Sequence, residues 1–380
     1  MNALWLLMLA VGVVGSNSLV LSPIAGDVSL SFPGHAATDV LLASAVYGIG
    51  TAISALTIAP KADQFGLARS VYWALMILAL ALCLSAVAPT LLVLIVAQGL
   101  AGIAAGVALP AIYGLTAEIS PPGQESASLG KVLTGWTLSL VAGVSLSAIL
   151  SDVVHWRVVY LAMAVFAALV TFLMAGSIPV QSKPKAVSGT SPLTALRIPG
   201  VFGLLGSVVA YMTAFYGLYA YLGTHLTQFL GLSTAMAGVA ALAYGIGFGI
   251  AAPLDRLIDK YGSSQTAPFI FAALIAVYIC IAASTSSVVF IYLACLFWGA
   301  ANHLGLNVLV GSLTAISPTQ RSAIMGLYSA VTYGAMFVGT ILFRPIFEHF
   351  GFTATAVVAA LCISPALVQA ILVRRAHWLT

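Results

Sequence analysis

Apolar runs that are long enough to cross a membrane fill most of this 380-residue chain. A run of about 20 apolar residues forms a helix that spans the roughly 30 Å hydrocarbon layer of a bilayer. Only 6% of the residues are charged, whereas about a quarter are charged in an ordinary soluble domain. The sequence therefore predicts an all-α membrane protein. Its twelve predicted spans lie at 4–25, 41–59, 71–88, 91–116, 128–150, 158–176, 201–225, 234–254, 267–284, 287–313, 323–345 and 353–373.

Two short sequence motifs occur twice, at nearly the same spacing. The Asp-Gln-Phe-Gly sequence at 63–66 reappears as Asp-Lys-Tyr-Gly at 259–262. The segment 119–130, which begins with Ile-Ser-Pro, reappears in similar form at 316–326. Six predicted spans separate the copies, and an even number of spans preserves the direction of the chain across the membrane. The sequence therefore predicts two six-helix bundles in a parallel pseudo-two-fold repeat, and this span count excludes an inverted one.

One long polar connection divides the two predicted bundles. The predicted domains are an N-terminal bundle at 1–180, a cytoplasmic linker at 181–200 and a C-terminal bundle at 201–380. The linker contains Ser-Lys-Pro-Lys and Ser-Gly-Thr-Ser-Pro, and such polar, Pro- and Gly-containing stretches are typical of irregular connections.

The distribution of Lys and Arg predicts the orientation of the chain. If the N-terminus is cytoplasmic, eleven of the 13 Lys and Arg residues lie on the cytoplasmic side. This positive-inside pattern predicts a multi-pass protein of the inner (plasma) membrane with both termini cytoplasmic. We therefore read the net charge of +4 as a topology signal and expect no nucleic-acid partner. The charged residues assigned to the outer face are Asp27, Asp39, Asp152, Arg157, Arg344 and Glu348.

The sequence contains no pattern that is typical of a cofactor, a metal site or an enzyme. Its four cysteines lie singly in apolar runs, and their spacing fits neither a zinc site nor a disulfide framework. It contains no P-loop, no metal-binding cluster and no nucleophile–base pair. We expect no cofactor, no bound metal and no enzymatic activity.

The loop after span two resembles the signature between helices two and three of the major facilitator superfamily. The aspartate of that signature falls on Asp63, its later glycine on Gly66 and a basic residue on Arg69. In the second half, Asp259 and Gly262 match the same pattern. The resemblance implies a cytoplasmic gate at these five residues. A carboxylate there can cap a helix or pair with a cation, and glycine permits a sharp reversal.

Two further spans resemble particular helices of that superfamily. Span four carries Gln98 before a series of spaced glycines, and span five resembles the antiporter motif of drug and sugar exporters. The sequence departs from these patterns at three positions. Ile95 replaces an arginine that is linked to proton movement, and Ser145 and Ser147 replace a proline and a glycine. The resemblance implies a drug/proton antiporter or sugar-efflux type of transporter.

Polar residues near the span centres indicate where a solute could bind. His303 is the one titratable side chain near a span centre, and ionisable groups at that depth usually serve function. The resemblance places spans one, four, seven and ten around a central cavity. The alternative is that these polar groups only join helices by hydrogen bonds. The predicted solute-binding residues are Asn17, Gln98, Tyr216, Asn302, His303 and Asn307.

We expect a secondary active transporter that moves a small organic solute by alternating access, as a monomer in the lipid bilayer. Proton-coupled efflux is the preferred mode. His303 is the candidate proton carrier because histidine titrates near neutral pH. An importer or uniporter of a small nutrient would use the same fold. A third alternative, from another class, is a membrane enzyme or a transport-dead sensor.

Overall fold

Every regular secondary-structure element that the computed structural model describes is a helix. Ten of these helices are long and apolar enough to cross a membrane. One of the ten, at 323–375, is interrupted at Gly351, whose φ of 77° divides it into two spans. A bent pair of shorter helices at the N-terminus forms another span. The structure describes residues 3–61, 65–121, 124–177, 192–317 and 320–378.

Twelve spans result, and each overlaps one of the twelve predicted apolar runs, so the predicted fold class is confirmed. The bounds differ from the prediction by up to seven residues, mainly at carboxyl ends, where the helices continue past the apolar runs. The spans are α1 (Ala3–Leu19 continued by Leu21–Leu30), α2 (Ala37–Lys61), α3 (Leu67–Ala86), α4 (Leu91–Ile119), α5 (Ser128–Val153), α6 (Trp156–Ser177), α7 (Val201–Phe229), α8 (Thr234–Tyr261), α9 (Ser263–Ala283), α10 (Val288–Ile316), α11 (321–350) and α12 (352–378).

Consecutive spans run in opposite directions, so the connections lie on two faces. The terminal face carries the start of α1, the end of α12 and the region between α6 and α7; the opposite face carries the α1–α2 and α7–α8 connections. Residues 181–191 of the predicted linker lie outside the described ranges. Its described end forms a 3-10 helix, Pro192–Arg197, in which Pro192 and Ala195 are buried.

The parallel repeat is visible in how equivalent helices pack. Gly102 of α4 lies so close to α2 that a Cβ there would overlap the carbonyl oxygen of Tyr47. In the second half, Gly299 of α10 approaches the carbonyl oxygen of Tyr244 on α8 in the same way. Gly299 lies 197 positions after Gly102, and Tyr244 lies 197 positions after Tyr47. The α4–α2 and α10–α8 contacts are equivalent and have the same orientation, so the two bundles have the same helix arrangement.

This close approach predicts a large stability difference between two glycines. Gly299→Leu should lower the free energy of unfolding by about 1–3 kcal/mol, because overpacked side chains force the helices apart. Gly206→Leu on α7 is the control, since nothing lies within 4 Å of a Cβ at Gly206. Melting temperatures of the two variants in detergent test this. Equal melting temperatures would contradict the packing of α8 against α10.

Two of the helix pairs along which the bundles meet are α2 with α11 and α5 with α8. A Cβ at Gly48 of α2 would lie 2.8 Å from the carbonyl oxygen of Tyr333 on α11, and one at Gly245 of α8 would lie 2.9 Å from Cβ of Leu140 on α5. Near this second contact α5 contains a π-helical segment, Ser139–Val144. Such segments are frequent at functional sites. The interface therefore combines close backbone contact with an irregular helix.

Candidate functional site

A narrow cleft lies between the two bundles and takes residues from α1, α2, α7 and α11. Its cavity volume is about 10 Å³, roughly the room of a single water molecule and far below the roughly 300–1,000 Å³ of typical small-molecule sites. The cleft is therefore contracted in this conformation. No charged side chain among the described residues lines it. Its lining consists of the hydroxyl-bearing Ser18, Ser22, Ser44, Tyr216, Tyr219 and Thr340, together with Leu19, Leu41, Ala220 and Met336.

Aromatic rings form a continuous wall behind α7. The ring of Phe215 lies 4.9 Å from that of Tyr216, 5.6 Å from that of Tyr244 and 5.6 Å from that of Trp298. Tyr219, which also lines the cleft, lies 5.5 Å from Phe215. Aromatic walls bind ring-shaped or amphipathic molecules through stacking and apolar contact. The wall connects the cleft to α8 and α10.

Several buried polar atoms in this region have no hydrogen-bond partner among the described residues. They include the hydroxyl groups of Tyr219, Tyr333 and Thr213 and the amide oxygens of Asn17 and Asn302. Buried polar groups are normally hydrogen-bonded, and each exception needs an explanation. A polar solute or bound water that enters the space between the bundles would supply the missing partners.

Asn17 and Gln98 form hydrogen bonds within the N-terminal bundle. The Asn17 side-chain amide on α1 donates to Oε1 of Gln98 on α4 across 3.0 Å. The Gln98 amide donates in turn to the hydroxyl of Ser85 on α3, also across 3.0 Å. These bonds join three helices. They agree with the alternative that the polar residues serve to connect helices by hydrogen bonds. The side-chain oxygen of Asn17 has no hydrogen-bond partner among the described residues. The next residue in the sequence, Ser18, lines the cleft.

Asn302 is held by two tyrosines of the C-terminal bundle. Its side-chain amide donates to the hydroxyl of Tyr244 across 2.7 Å. The Tyr211 hydroxyl donates to the backbone carbonyl of Asn302 across 2.6 Å. Asn302 is therefore fixed behind the aromatic wall rather than in the lining of the cleft. Asn307, one turn beyond His303 on α10, is half-buried. Tyr216 is the one predicted solute residue that lines the cleft among the described residues.

His303 is paired with the carboxylate of Asp255, near the terminal-face end of α8. Its Nε2 lies 3.0 Å from Oδ1 and 3.1 Å from Oδ2 of Asp255 on α8. A 3-10 turn, Ala252–Leu254, interrupts α8 just before Asp255. His303 therefore faces α8 of its own bundle. The sequence repeat contained one signal for this pair, since Ala59 and Gly106 stand at the corresponding positions of the first half.

The predicted gate residues lie at the terminal face. Gly66 has φ +89° and Gly262 has φ +83°, and each directly precedes the equivalent helix, α3 or α9. This conformation favours glycine and produces the reversal of the chain. Arg69 and Asp259 are exposed. Asp63 lies outside the described residues.

Two polar clusters join the bundles at the opposite face. In the Arg344 cluster (Thr38, Asp39, Arg344 and Glu348), the guanidinium on α11 donates to Asp39 of α2 across 2.5 Å and to Glu348 across 2.8 Å. The hydroxyl of Thr38 donates to Glu348 across 2.7 Å. Asp39 and Glu348 therefore share one cation that lies between the two halves.

The second cluster, the Asp27 cluster, consists of Asp27, Ser151, Asp152 and Thr234. The hydroxyl of Thr234, at the start of α8, donates to Asp27 of α1 across 2.8 Å, and its backbone N–H donates to Asp152 of α5 across 3.1 Å. Ser151 donates to the second oxygen of Asp27 across 2.5 Å. The start of α8 is thus held by two carboxylates of the other bundle, and the opposite face is closed.

Sequence reasoning missed the role of both clusters. It assigned Asp27, Asp39, Asp152, Arg344 and Glu348 to one face of the membrane. Which of them meet depends on the packing of α2 against α11 and of α5 against α8, and the sequence contains no local pattern for either contact. The sequence indicated only that these charged residues lie on the same face of the membrane, and that does not identify which of them pair.

These features, a repeated pair of six-helix bundles with a polar cleft between them, define a membrane transporter rather than an enzyme. The chain belongs to the Major Facilitator Superfamily, whose sequence profile matches residues 4–340. It is 26% identical over 364 residues to the uncharacterized MFS-type transporter YwfA of Bacillus subtilis (strain 168), covering 93% of this chain and 87% of that protein.

A solved structure of the same fold supports the assignment. It is the crystal structure of a bacterial homologue of the human lysosomal transporter Spinster, in an inward-facing and occupied conformation. The two folds agree with a TM-score of 0.74 at 15% sequence identity, over 98% of this chain and 96% of that one. The predicted family and fold are therefore confirmed.

Proposed function

We propose that this chain exports a small, uncharged organic solute across the inner membrane in exchange for protons. It works by alternating access, as a monomer whose termini lie in the cytoplasm. The observation that carries the proposal is the cleft between the bundles, which both halves line with hydroxyl groups and the C-terminal half also lines with rings. A site at the interface of two repeats is where such transporters hold their solute.

The lining of the cleft supports a neutral solute that combines polar groups with an apolar ring or chain. The described lining carries no charge, so an anionic or cationic solute would lose hydration without gaining a partner. The unpaired hydroxyl groups of Tyr219 and Tyr333 are available for hydrogen bonds. Tyr216 and the ring of Phe215 behind it would contact the apolar part.

The closed opposite face supports an inward-facing conformation. We assign the terminal face to the cytoplasm, because the positive-inside pattern places most Lys and Arg there. The Arg344 and Asp27 clusters would then form the closed outer gate. The related solved structure is described as inward-facing, which supports the same assignment.

The remaining predicted residues have proposed roles in the transport cycle. Asp63, Gly66, Arg69, Asp259 and Gly262 would close the cytoplasmic gate when the outer gate opens. Carboxylates at helix ends can cap an opposing helix or pair with a cation. The proposed solute contacts remain Asn17, Gln98, Tyr216, Asn302, His303 and Asn307, some of them reached only after the bundles move.

A solute screen tests the proposal. Metabolites and drugs are added to the purified protein, and a solute that binds the folded state raises the melting temperature by mass action. We expect a neutral compound to raise it by several degrees in the wild type and in Tyr72→Ala, a matched change on α3 outside the cleft. Tyr216→Ala should lose the response. A hit that is unaffected by Tyr216→Ala would place the solute elsewhere and contradict the proposal.

An importer or uniporter of a small nutrient is the second candidate function. It is favoured by Ile95, which stands where proton-coupled relatives carry an arginine in the resembled helix. Counterflow in liposomes separates the two functions. An antiporter accumulates solute against its gradient only while a proton gradient is present, whereas a uniporter shows the same rate after that gradient is dissipated.

A further inference from the structure

We propose that the Asp255–His303 pair is the proton-binding site and lies apart from the cleft that holds the solute. The inference rests on the proposed function, and it adds Asp255 as the second member of the site. In it, His303 carries the proton and Asp255 stabilises the charged imidazole. Both side chains belong to the C-terminal bundle, on α10 and α8.

On the imidazole, the geometry leaves one place for an added proton. Both oxygens of Asp255 face Nε2 at 3.0 and 3.1 Å, so a neutral imidazole donates its Nε2–H to the carboxylate. The other ring nitrogen, Nδ1, is then an acceptor, and it is buried without a partner among the described residues. Proton uptake forms an N–H bond at Nδ1 and changes a neutral imidazole into an imidazolium paired with Asp255. No other bond forms or breaks.

Within the described ranges, neither side chain forms an ion pair with a further residue. The Phe248 ring of α8 packs against the imidazole with ring centroids 4.8 Å apart. The titratable groups that face α10 from its neighbours are the phenols of Tyr244 on α8, Tyr211 on α7 and Tyr278 on α9. The other charged residues near Asp255 on α8 are exposed, namely Arg256, Asp259 and Lys260.

The pair lies toward the terminal-face end of α8 and is partly exposed. The side chain of His303 is 17% exposed and that of Asp255 is 30% exposed. The opposite face is closed by its two clusters, so a proton released here leaves toward the terminal face. When the bundles rock, α8 and α10 move together within one bundle, so the pair keeps its contact while its surroundings change.

The second half departs from the repeat at this pair. In the first half Gly106 stands at the position of His303, and a Cβ there would overlap Ser54 Oγ and the Thr51 carbonyl oxygen. The first half therefore has no room for an imidazole. In the second half α8 breaks at Ala252–Leu254, and the space beside α10 holds the ring. A paired acid and base replace a close helix contact in one half only.

A chain of contacts joins the pair to the cleft. Asn302, the neighbour of His303, donates to the hydroxyl of Tyr244. The ring of Tyr244 stacks on Phe215, which lies against Tyr216 of the cleft. A change of charge at His303 alters the packing of α10 against α8, and this chain carries the change to the solute site.

The response of the protein to pH alone tests the inference, without any solute. Spin labels are placed at Val87→Cys and Ser286→Cys, two exposed opposite-face positions of the two bundles, after the four native cysteines are replaced. Their distance distribution is measured between pH 5.5 and 8.5. We expect a pH-dependent change in the wild type that is lost in Asp255→Asn and in His303→Gln. Asp255→Glu should keep it, which excludes misfolding as the cause.

Two matched changes serve as controls. Glu118→Gln and His349→Gln remove an exposed carboxylate and an exposed imidazole, and both should keep the pH response. The inference is overturned if the response persists in Asp255→Asn or His303→Gln, if a control also loses it, or if the wild type shows none. Solute binding in the thermal screen is unaffected by such an outcome, so the proposed function is judged separately.

Discussion

A disulfide across the opposite face should stop transport completely and reversibly. Gly26 of α1 and Thr227 of α7 come from different bundles, and a Cβ at Gly26 lies 3.6 Å from Oγ1 of Thr227. This contact places the two side chains next to each other, as a disulfide between them requires. In a variant with Gly26→Cys and Thr227→Cys and no native cysteine, oxidation would lock the outer gate shut.

The expected effect is a loss of more than ten-fold in the transport rate of the solute found by the thermal screen. Transport should return after reduction with dithiothreitol. The two single-cysteine variants, treated with the same oxidant, are the controls and should keep their rates. An oxidised double variant that still transports would mean that this face does not open during the cycle, which contradicts alternating access.

Reversing the charge of Arg344 should open the outer gate. Arg344→Glu places a third carboxylate beside Asp39 and Glu348, which now share the guanidinium. Two charges about 4 Å apart interact by about 4 kcal/mol at an effective dielectric constant of 20. Because these side chains are partly exposed, solvent and salt reduce this to roughly 2 kcal/mol. The equilibrium between closed and open gates should move by about thirty-fold.

The labelling rate of a cysteine in the cleft measures this opening. Leu41 lines the cleft and is buried, so Leu41→Cys reacts with an impermeant maleimide from the opposite face only when that face opens. Arg344→Glu should raise the rate at least ten-fold, and the reversed pair Asp39→Arg with Arg344→Asp should restore it. Arg157→Gln is the control, since Arg157 bonds to the Ala88 carbonyl within one bundle. An unchanged labelling rate in Arg344→Glu would show that the Arg344 cluster does not hold the outer gate closed.

Most of the fold could be predicted from the sequence, because a membrane imposes strong rules. A span needs a long apolar run, and its backbone must satisfy its own hydrogen bonds. The duplicated loops at 63–66 and 259–262 then indicated a parallel repeat. The bend between Leu19 and Leu21 and the π-helical segment Ser139–Val144 were not predicted, since both depend on contacts with neighbouring helices.

The candidate site was less accessible to sequence reasoning. Polar residues near the span centres were found, but their partners were not. Asn17 and Gln98 bond to each other, while Asn302 bonds to Tyr244. Polar groups in hydrocarbon form hydrogen bonds with whichever polar groups the helix packing brings near. That packing cannot be read from the sequence. The same reason explains why Asp255 was not recognised as the partner of His303.

Distances measured on both faces of one protein test alternating access most directly. The first label pair, Val87→Cys with Ser286→Cys, lies on the opposite face; the second, Phe65→Cys with Tyr261→Cys, lies at exposed positions of the terminal face. When Arg344→Glu is introduced, rocking of two bundles predicts that the first distance increases while the second decreases. Distances that both stay constant, or that change in the same direction, would contradict the account.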